Sequence, residues 1–246
     1  MSWVNECEPR INSAISVKPS VVNLCYDGDT EESLKKMYSK AINSLRSQLQ
    51  LTPIQREILI GSILGDGYLF PTVSGKYAYL RISHGPKQKQ YLFWKYSLFR
   101  DWVLPLPKYQ FQNKNKPELG GYWWFKTIAH PVLLSIRKLF YPEGKKRIPH
   151  NIGEIMKSPR SLAVWYGDDG TLVSSAGLRI QSEGFTKPEN ELLLELLWKN
   201  FGVNCKLQRN GGNGYGWSIG IGKDGTEKFI KLIRPYLPKC LEYKFP

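Results

Sequence analysis

Leu59-Ile60-Gly61-Ser62-Ile63-Leu64-Gly65-Asp66-Gly67 and Leu162-Ala163-Val164-Trp165-Tyr166-Gly167-Asp168-Asp169-Gly170 are two apolar segments that both end in Asp-Gly. Small residues recur four apart in each, Gly61 with Gly65 and Ala163 with Gly167. At that spacing they share one helix face and let two backbones approach closely, so that dispersion contacts replace side-chain bulk. A glycine inside a helix costs roughly 1 kcal/mol relative to alanine, so it needs a packing reason. Two such helices packed together bring their C-terminal ends, with Asp66 and Asp169, side by side.

That placement is electrostatically poor without a cation. A carboxylate near a helix C-terminus faces the negative end of the macrodipole. Two adjacent carboxylates repel further, so that one tends to hold a proton. A divalent ion between them removes both problems. Mg²⁺ takes hard oxygen ligands, keeps several waters and needs only one or two carboxylates plus a substrate phosphate. Ions shared by two carboxylates activate water and stabilise the leaving oxygen in phosphodiester cleavage. A lone Asp-Gly merely caps a helix and opens a turn. The matched pair points to chemistry.

Outward from the pair, the chain repeats itself. Thr52-Pro53 opens the first helix and Ser158-Pro159 the second, each an N-cap followed by proline at the first helical position. After the first motif the pattern predicts a strand over Lys76–Ser83, a helix over Pro86–Trp102, strands over Tyr109–Gln112 and Gly121–Ile128, and a helix over Pro131–Tyr141. After the second it predicts a strand over Leu178–Ser182, a helix over Thr186–Phe201, strands over Asn204–Arg209 and Tyr215–Gly222, and a helix over Thr226–Tyr236. Leu80-Arg81-Ile82 matches Leu178-Arg179-Ile180, Asp66 and Asp169 lie 103 positions apart, and Lys146 and Lys244 lie 98 apart. The expected fold is α+β, with two related halves over residues 51–157 and 158–246. Residues 1–50 read as an appendage carrying one helix, from Thr30 to about Gln48.

Composition narrows the partner. The chain has 246 residues, and its 41% hydrophobic content suffices for a core. No run approaches the ~20 apolar residues of a membrane span, and no secretory signal opens the chain, so a soluble, unsecreted protein is expected. The formal net charge is +14. Residues 1–50 hold six basic and six acidic side chains, so residues 51–246 carry the whole excess. Such a body suits a polyanion, because neutralised phosphates release condensed counterions. Cys7, Cys25, Cys205 and Cys240 form no C-x-x-C pair, and His84, His130 and His150 supply no zinc spacing. The cysteines are expected to be reduced and buried. The His150-Asn151 pair is too little for an HNH nuclease. Gly211-Gly212-Asn213-Gly214 reads as a hairpin turn, since no G-K-[ST] follows. The aromatic clusters around Tyr91–Trp94 and Tyr122–Phe125 read as core packing more than as stacking platforms for bases.

The motif pair resembles the LAGLIDADG motif, duplicated in one chain as in single-chain members of that homing endonuclease family. Gly61, Asp66 and Gly67 match in the first copy, and Leu162, Ala163, Asp169 and Gly170 in the second. Lys145-Lys146-Arg147-Ile148-Pro149 and Tyr243-Lys244-Phe245-Pro246 look like the family's basic segments near each repeat's end. The resemblance covers about residues 51–246. It implies motif helices at the interface of two half-domains, with Asp66 and Asp169 as ligands of Mg²⁺, for which Mn²⁺ can substitute. Asp168 precedes the matching position and is excluded as a ligand. Lys146 and Lys244 are implied near the scissile phosphates, and Gln181 at a polar position that orders solvent, with Ser83 or His84 as its first-half counterpart. Antiparallel strands are implied to form a saddle in the DNA major groove. Its candidate contacts are Lys76, Arg81, Lys108, Gln110, Gln112, Lys114 and Lys126, then Arg179, Lys206, Gln208, Arg209 and Asn213. The resemblance thus implies a monomeric, site-specific nuclease making a double-strand break in a long DNA target. Lacking intein junction residues, it is expected to be intron-encoded, in a mitochondrion or chloroplast. Two other readings share the fold and charge: a maturase that binds intron RNA, and a DNA-binding regulator that does not cut. Retention of both aspartates and both lysines speaks against the regulator.

Overall fold

A computed structural model describes residues 31–174, 177–209 and 216–246. Asn213 and its predicted hairpin turn, with Cys7 and Cys25, lie outside the described residues. Helix α1 (Glu31–Gln48) is tied to the body through its last turn. There Arg46 Nε donates to the Ala129 carbonyl at 2.7 Å, and its guanidinium lies 4.2 Å from the Tyr77 ring centre.

Helix α2 (Pro53–Leu64) begins with a capping box: Gln55 N donates to Thr52 Oγ1 and Thr52 N to Gln55 Oε1, both at 3.1 Å. It leads into a sheet made of β1 (Tyr68–Pro71), β2 (Ala78–His84), β3 (Lys108–Phe111) and β4 (Gly121–Lys126). Helices α3 (Lys89–Leu98) and α4 (Pro131–Phe140) cover this sheet, and the short α5 (Ile152–Ile155) lies in the connection. Helix α6 (Pro159–Asp169) then starts the same order again, with β5 (Gly170–Ser174), β6 (Gly177–Gln181), α7 (Lys187–Phe201), β7 (Lys206–Arg209), β8 (Trp217–Ile221) and α8 (Lys223–Ile233). Both sheets are antiparallel, with spatial orders β1-β2-β4-β3 and β5-β6-β8-β7. The registers correspond as well: Arg81 sits opposite Tyr68 and Lys126, and Arg179 opposite Thr171 and Gly220. The fold is therefore α+β with pseudo-twofold symmetry.

Alternation sorts each sheet into two faces. In β2, Ala78, Leu80, Ile82 and His84 are buried against the helices, while Tyr79, Arg81 and Ser83 point away from them. The halves meet through α2 and α6, whose Ile58, Leu59, Ile63, Leu162, Ala163 and Trp165 are fully buried. Gly61 sets their distance. A Cβ built there would collide with the Ser161 carbonyl oxygen and stand 2.8 Å from Val164 Cβ. The expectation for Gly167 needs correcting: it faces the Tyr91 hydroxyl from α3, not the backbone of α2.

Strands β1 and β5 were not anticipated. Each starts within two residues of the motif aspartate, so that the Asp-Gly read as a helix end is also the entry to a strand, and each sheet has four strands. The predicted helix over 86–102 is also divided. Short 3₁₀ turns at Pro86–Gln88 and Arg100–Trp102 flank α3, where the Phe99 N–H is shared between the Lys95 and Tyr96 carbonyls. Cys205 and Cys240 are half-buried thiols. No helix among the described residues is long and apolar enough to cross a membrane.

Helix propensity alone says that Gly61→Ala stabilises by about 1 kcal/mol, whereas overpacking costs about 1–3 kcal/mol. Thermal melts are expected to show a lower Tm for Gly61→Ala. Gly153→Ala in α5, where an added Cβ meets nothing within 4 Å, should leave the Tm unchanged or raise it. A rise with both variants would remove Gly61 from the helix interface.

Candidate active site

The Asp-Gly at each helix end has a steric origin. The Gly67 N–H reaches back to the Ser62 carbonyl at 2.7 Å, and a Cβ on Gly67 would also lie 2.7 Å from that oxygen. A Cβ on Gly170 would strike the carbonyl and ring of Tyr166. Glycine thus lets the chain leave the helix and enter β1 or β5 within two residues of the aspartate. Both aspartates are consequently held between two rigid elements, close enough to perturb each other.

Their electrostatics differ. Partial burial pulls the Asp66 pKa upward, but the hydrogen bond and charge of His84, with Lys95 and Lys244, outweigh it, and the carboxyl titrates below the usual range. Asp169 is pushed up to about 8 by burial and by the Asp168 and Asp66 carboxylates, against a partial pull from Lys146 and Lys244. The surroundings thus favour the ionised form of Asp66 and the protonated form of Asp169.

Lys146 and Lys244 take equivalent places. Lys146 Nζ donates to the Gly65 carbonyl at 2.8 Å. Lys244 Nζ donates to the Asp168 carbonyl at 3.0 Å and to that of Gly170 at 2.9 Å. Each ammonium therefore caps the carbonyl just before a motif aspartate, where the helix dipole favours a cation. Burial lowers the pKa of both lysines, and the carboxylates around them oppose it. Lys244 is only 6% exposed, so it is no surface lysine.

Asp168 and Lys95, which were not expected at the site, and His84, expected only as an alternative counterpart of Gln181, complete the cluster. Asp168 is buried, and its Oδ1 accepts from Lys95 Nζ at 2.5 Å while its Oδ2 accepts from the Asp66 N–H at 3.2 Å. His84 Nδ1 lies 3.3 Å from Asp66 Oδ2, and its Nε2 lies 3.9 Å from Asp168 Oδ1. Ligand atoms of Asp66, His84 and Asp168 fall within 4.8 Å of one another. Lys95, however, already supplies the cation beside Asp168, and both Asp168 oxygens are engaged, so that trio is a poor cage for a further ion. Asp66 and Asp169 bring hard carboxylate oxygens from two elements, coupled to each other through their charges. The Asp168-Asp169 doublet and a lysine amid the aromatics of α3 were the available sequence signals for this cluster.

Gln181 ends β6 on the face away from the helices, and register makes Ser83 its counterpart, while His84 corresponds to Ser182. Ser83 lines a recess of about 270 Å³ with Asp66, Tyr68, Phe70, Arg81 and Tyr122. A larger recess of about 620 Å³, between α4 and α7, contains neither motif aspartate.

The candidate DNA contacts largely share one face. Arg81, Lys108, Gln110 and Lys126 project from the outer face of the first sheet, and Gln112 follows β3 by one residue in the same alternation. Lys76 and Lys114 are exposed in the flanking loops. Arg179, Lys206 and Gln208 line the corresponding face of the second sheet, where Arg179 Nε donates to Gln208 Oε1 at 3.2 Å. Arg209 alternates to the opposite side, in the row of Leu207, and does not join them. Part of the aromatic cluster also escapes the core. Tyr122 and Trp124 lie on the outer face, Arg81 stacking 4.5 Å from the Trp124 ring and donating to Tyr122 Oη at 3.4 Å.

The model of the LAGLIDADG DNA endonuclease family matches residues 56–229. The probable intron-encoded endonuclease 1 of Wickerhamomyces canadensis is 30% identical over 216 residues, covering 84% of this chain and 90% of that protein. The DNA endonuclease I-ChuI of Chlamydomonas applanata is 26% identical over 211 residues, covering 80% and 96%. Among solved structures, the homing endonuclease I-WcaI bound to its DNA recognition sequence aligns with a TM-score of 0.75 at 27% identity, over 92% of this chain and 97% of that one. With two motif helices, two sheets and these likenesses, the chain belongs to the LAGLIDADG DNA endonuclease family, as a homing endonuclease with both motifs in a single chain.

Proposed function

We infer that this endonuclease makes a double-strand break in a long DNA duplex, with a divalent ion, Mg²⁺ or Mn²⁺ in its place, held by Asp66 and Asp169. The observation that carries this reading is the convergence of two motif-helix ends, each with its aspartate beside a lysine that caps the preceding carbonyl. A bound ion supplies an acidified water and positive charge for the leaving oxygen. The chain's own groups do the rest. Asp66 and Asp169 would hold that ion, and the Asp169 carboxyl would lose its proton to solvent on binding it. Lys146 has two free N–H donors and Lys244 one for phosphate oxygens. The Gln181 amide orders water from the sheet face. The outer faces of both sheets track the major groove, with the lysines meeting phosphates and the Arg and Gln side chains meeting base edges. A monomer suffices, since both motifs lie in one chain. Kinship with an endonuclease named as intron-encoded supports the same origin here.

Sequencing the ends cut from a partly randomised duplex library with Mg²⁺ tests the reading. Discrete cuts at one long site are expected. Asp66→Asn and Asp169→Asn should each slow cleavage by more than about 100-fold, beyond the loss of an outer-shell partner, while DNA affinity survives. Binding without cutting by the unaltered protein would favour a regulator, and binding of structured intron RNA alone a maturase.

The proton on Asp169 has a thermodynamic signature without metal. Its pKa is raised on folding, so it stabilises below the unfolded value and that contribution is lost as pH rises through about 8. In EDTA, Asp169→Asn is expected to raise the Tm at pH 8.5 by about 2–4 °C, equivalent to roughly 1 kcal/mol in a chain of this size. The gain should shrink towards zero near pH 4, where the wild-type carboxyl is neutral; a pH-independent difference would contradict the assignment.

Affinity for the target should fall steeply with salt. Lys108→Ala and Lys206→Ala are each expected to reduce the log–log salt slope by about 1 if they meet phosphates. An unchanged slope would take that lysine off the DNA path.

A further inference from the structure

Asp168 belongs to the second motif, yet its side chain works in the first half. It crosses the interface to accept from Lys95 on α3 and from the main-chain N–H of Asp66. Both side chains of the Asp168–Lys95 pair are fully buried. Around them, the Lys95 ammonium lies 4.6 Å from the Tyr91 ring centre, and Tyr91 Oη donates to the Val164 carbonyl of α6 at 3.2 Å. Gly65 makes the crossing possible: a Cβ there would collide with Asp168 Cβ and stand 2.7 Å from its Oδ2. A buried ion pair is a poor stability device, because apolar residues of similar volume often do as well or better. This one has a second output, the backbone of a motif aspartate. His84 holds the carboxylate of that same residue.

The support is one-sided. Gly65 is the first-motif counterpart of Asp168 and has no side chain with which to hold Asp169. Helix α7, the counterpart of α3, buries Leu193, Leu196 and Leu197 but no lysine.

We propose that Asp168, anchored by Lys95, is a positioning residue that fixes Asp66 across the half-domain interface, making the two strand-cutting centres of this enzyme unequal. The inference rests on the reading that Asp66 and Asp169 form the metal site. Asp168 itself touches neither substrate nor ion; it acts through the Asp66 main chain.

Two double variants separate positioning from packing. Asp168→Asn with Lys95→Met removes both charges but keeps an acceptor for the Asp66 N–H. Asp168→Ala with Lys95→Met removes the acceptor as well. Each is assayed with Mg²⁺ on a supercoiled plasmid carrying the target, and on duplex with each strand separately end-labelled. With the alanine variant, one strand should be cut at least about tenfold more slowly than in wild type, so that nicked circles accumulate while DNA affinity is retained. The asparagine variant should restore the wild-type strand ratio. Equal slowing of both strands, or the same behaviour from both variants, would overturn the proposal. The wild type provides a measurement independent of any variant's folding: its two strands should be cut at different rates, and equal rates would also overturn it. Failure of the underlying reading looks different, because wild type would then not cut with Mg²⁺ or Asp66→Asn would still cut.

Discussion

The close approach of α2 and α6 is the constraint on which the molecule depends. Gly61 lets one helix rest on the main chain of the other at Ser161, and Ser161 Oγ answers by donating to the Glu57 carbonyl at 2.8 Å. Arg160 pairs with Glu57 at 2.5 Å beside it. Because each motif helix ends at its aspartate or two residues before it and leads directly into a strand, the spacing of two helices sets the spacing of two carboxylates and of two sheets. A wider interface would move the two carboxylates and the two outer sheet faces together.

This geometry gives like residues unlike states. Asp66 and Asp169 occupy matching places, but the first is surrounded by cationic and donor groups while the second faces two carboxylates from a more enclosed position. The lysines that cap the adjacent carbonyls offset the unfavourable dipole ends only in part. The unbalanced repulsion shows as a raised pKa on Asp169, the carboxyl for which the protonated form is favoured. A similar divergence marks the two outer faces. Tyr68, Phe70, Tyr79, Tyr122 and Trp124 make the first largely aromatic, while Thr171, Arg179, Lys206 and Gln208 make the second mostly polar.

Features carried by local spacing were legible in the sequence. The paired Asp-Gly ends, the Thr-Pro and Ser-Pro helix starts and the Leu-Arg-Ile strands stand at matching intervals, and they led to the two-halved α+β fold. The alternation of Gln110 with Gln112 likewise placed them on one face. What escaped depends on neighbours distant in the chain. Lys95 looks like a solvated helix charge until α6 arrives with Asp168, and His84 looks like a strand end until Asp66 turns towards it. Asp168 was set aside as a ligand because it misses the motif position by one, and one residue is what turns its side chain from the shared site towards the other half. Strands β1 and β5 were hidden because they are only 4 and 5 residues long and follow the Asp-Gly directly, and Arg209 because alternation from Gln208 reverses its side.

The pairing of Gly65 with Asp168 bears on how the molecule could have been assembled. An isologous dimer presents the same residue to both sides of its axis. Two aspartates there would collide and repel, and two glycines would leave both N–H groups without this acceptor. A key on one side and a keyhole on the other can exist only where the two halves have separate codons. Joining the halves in one polypeptide therefore frees the interface from its own symmetry.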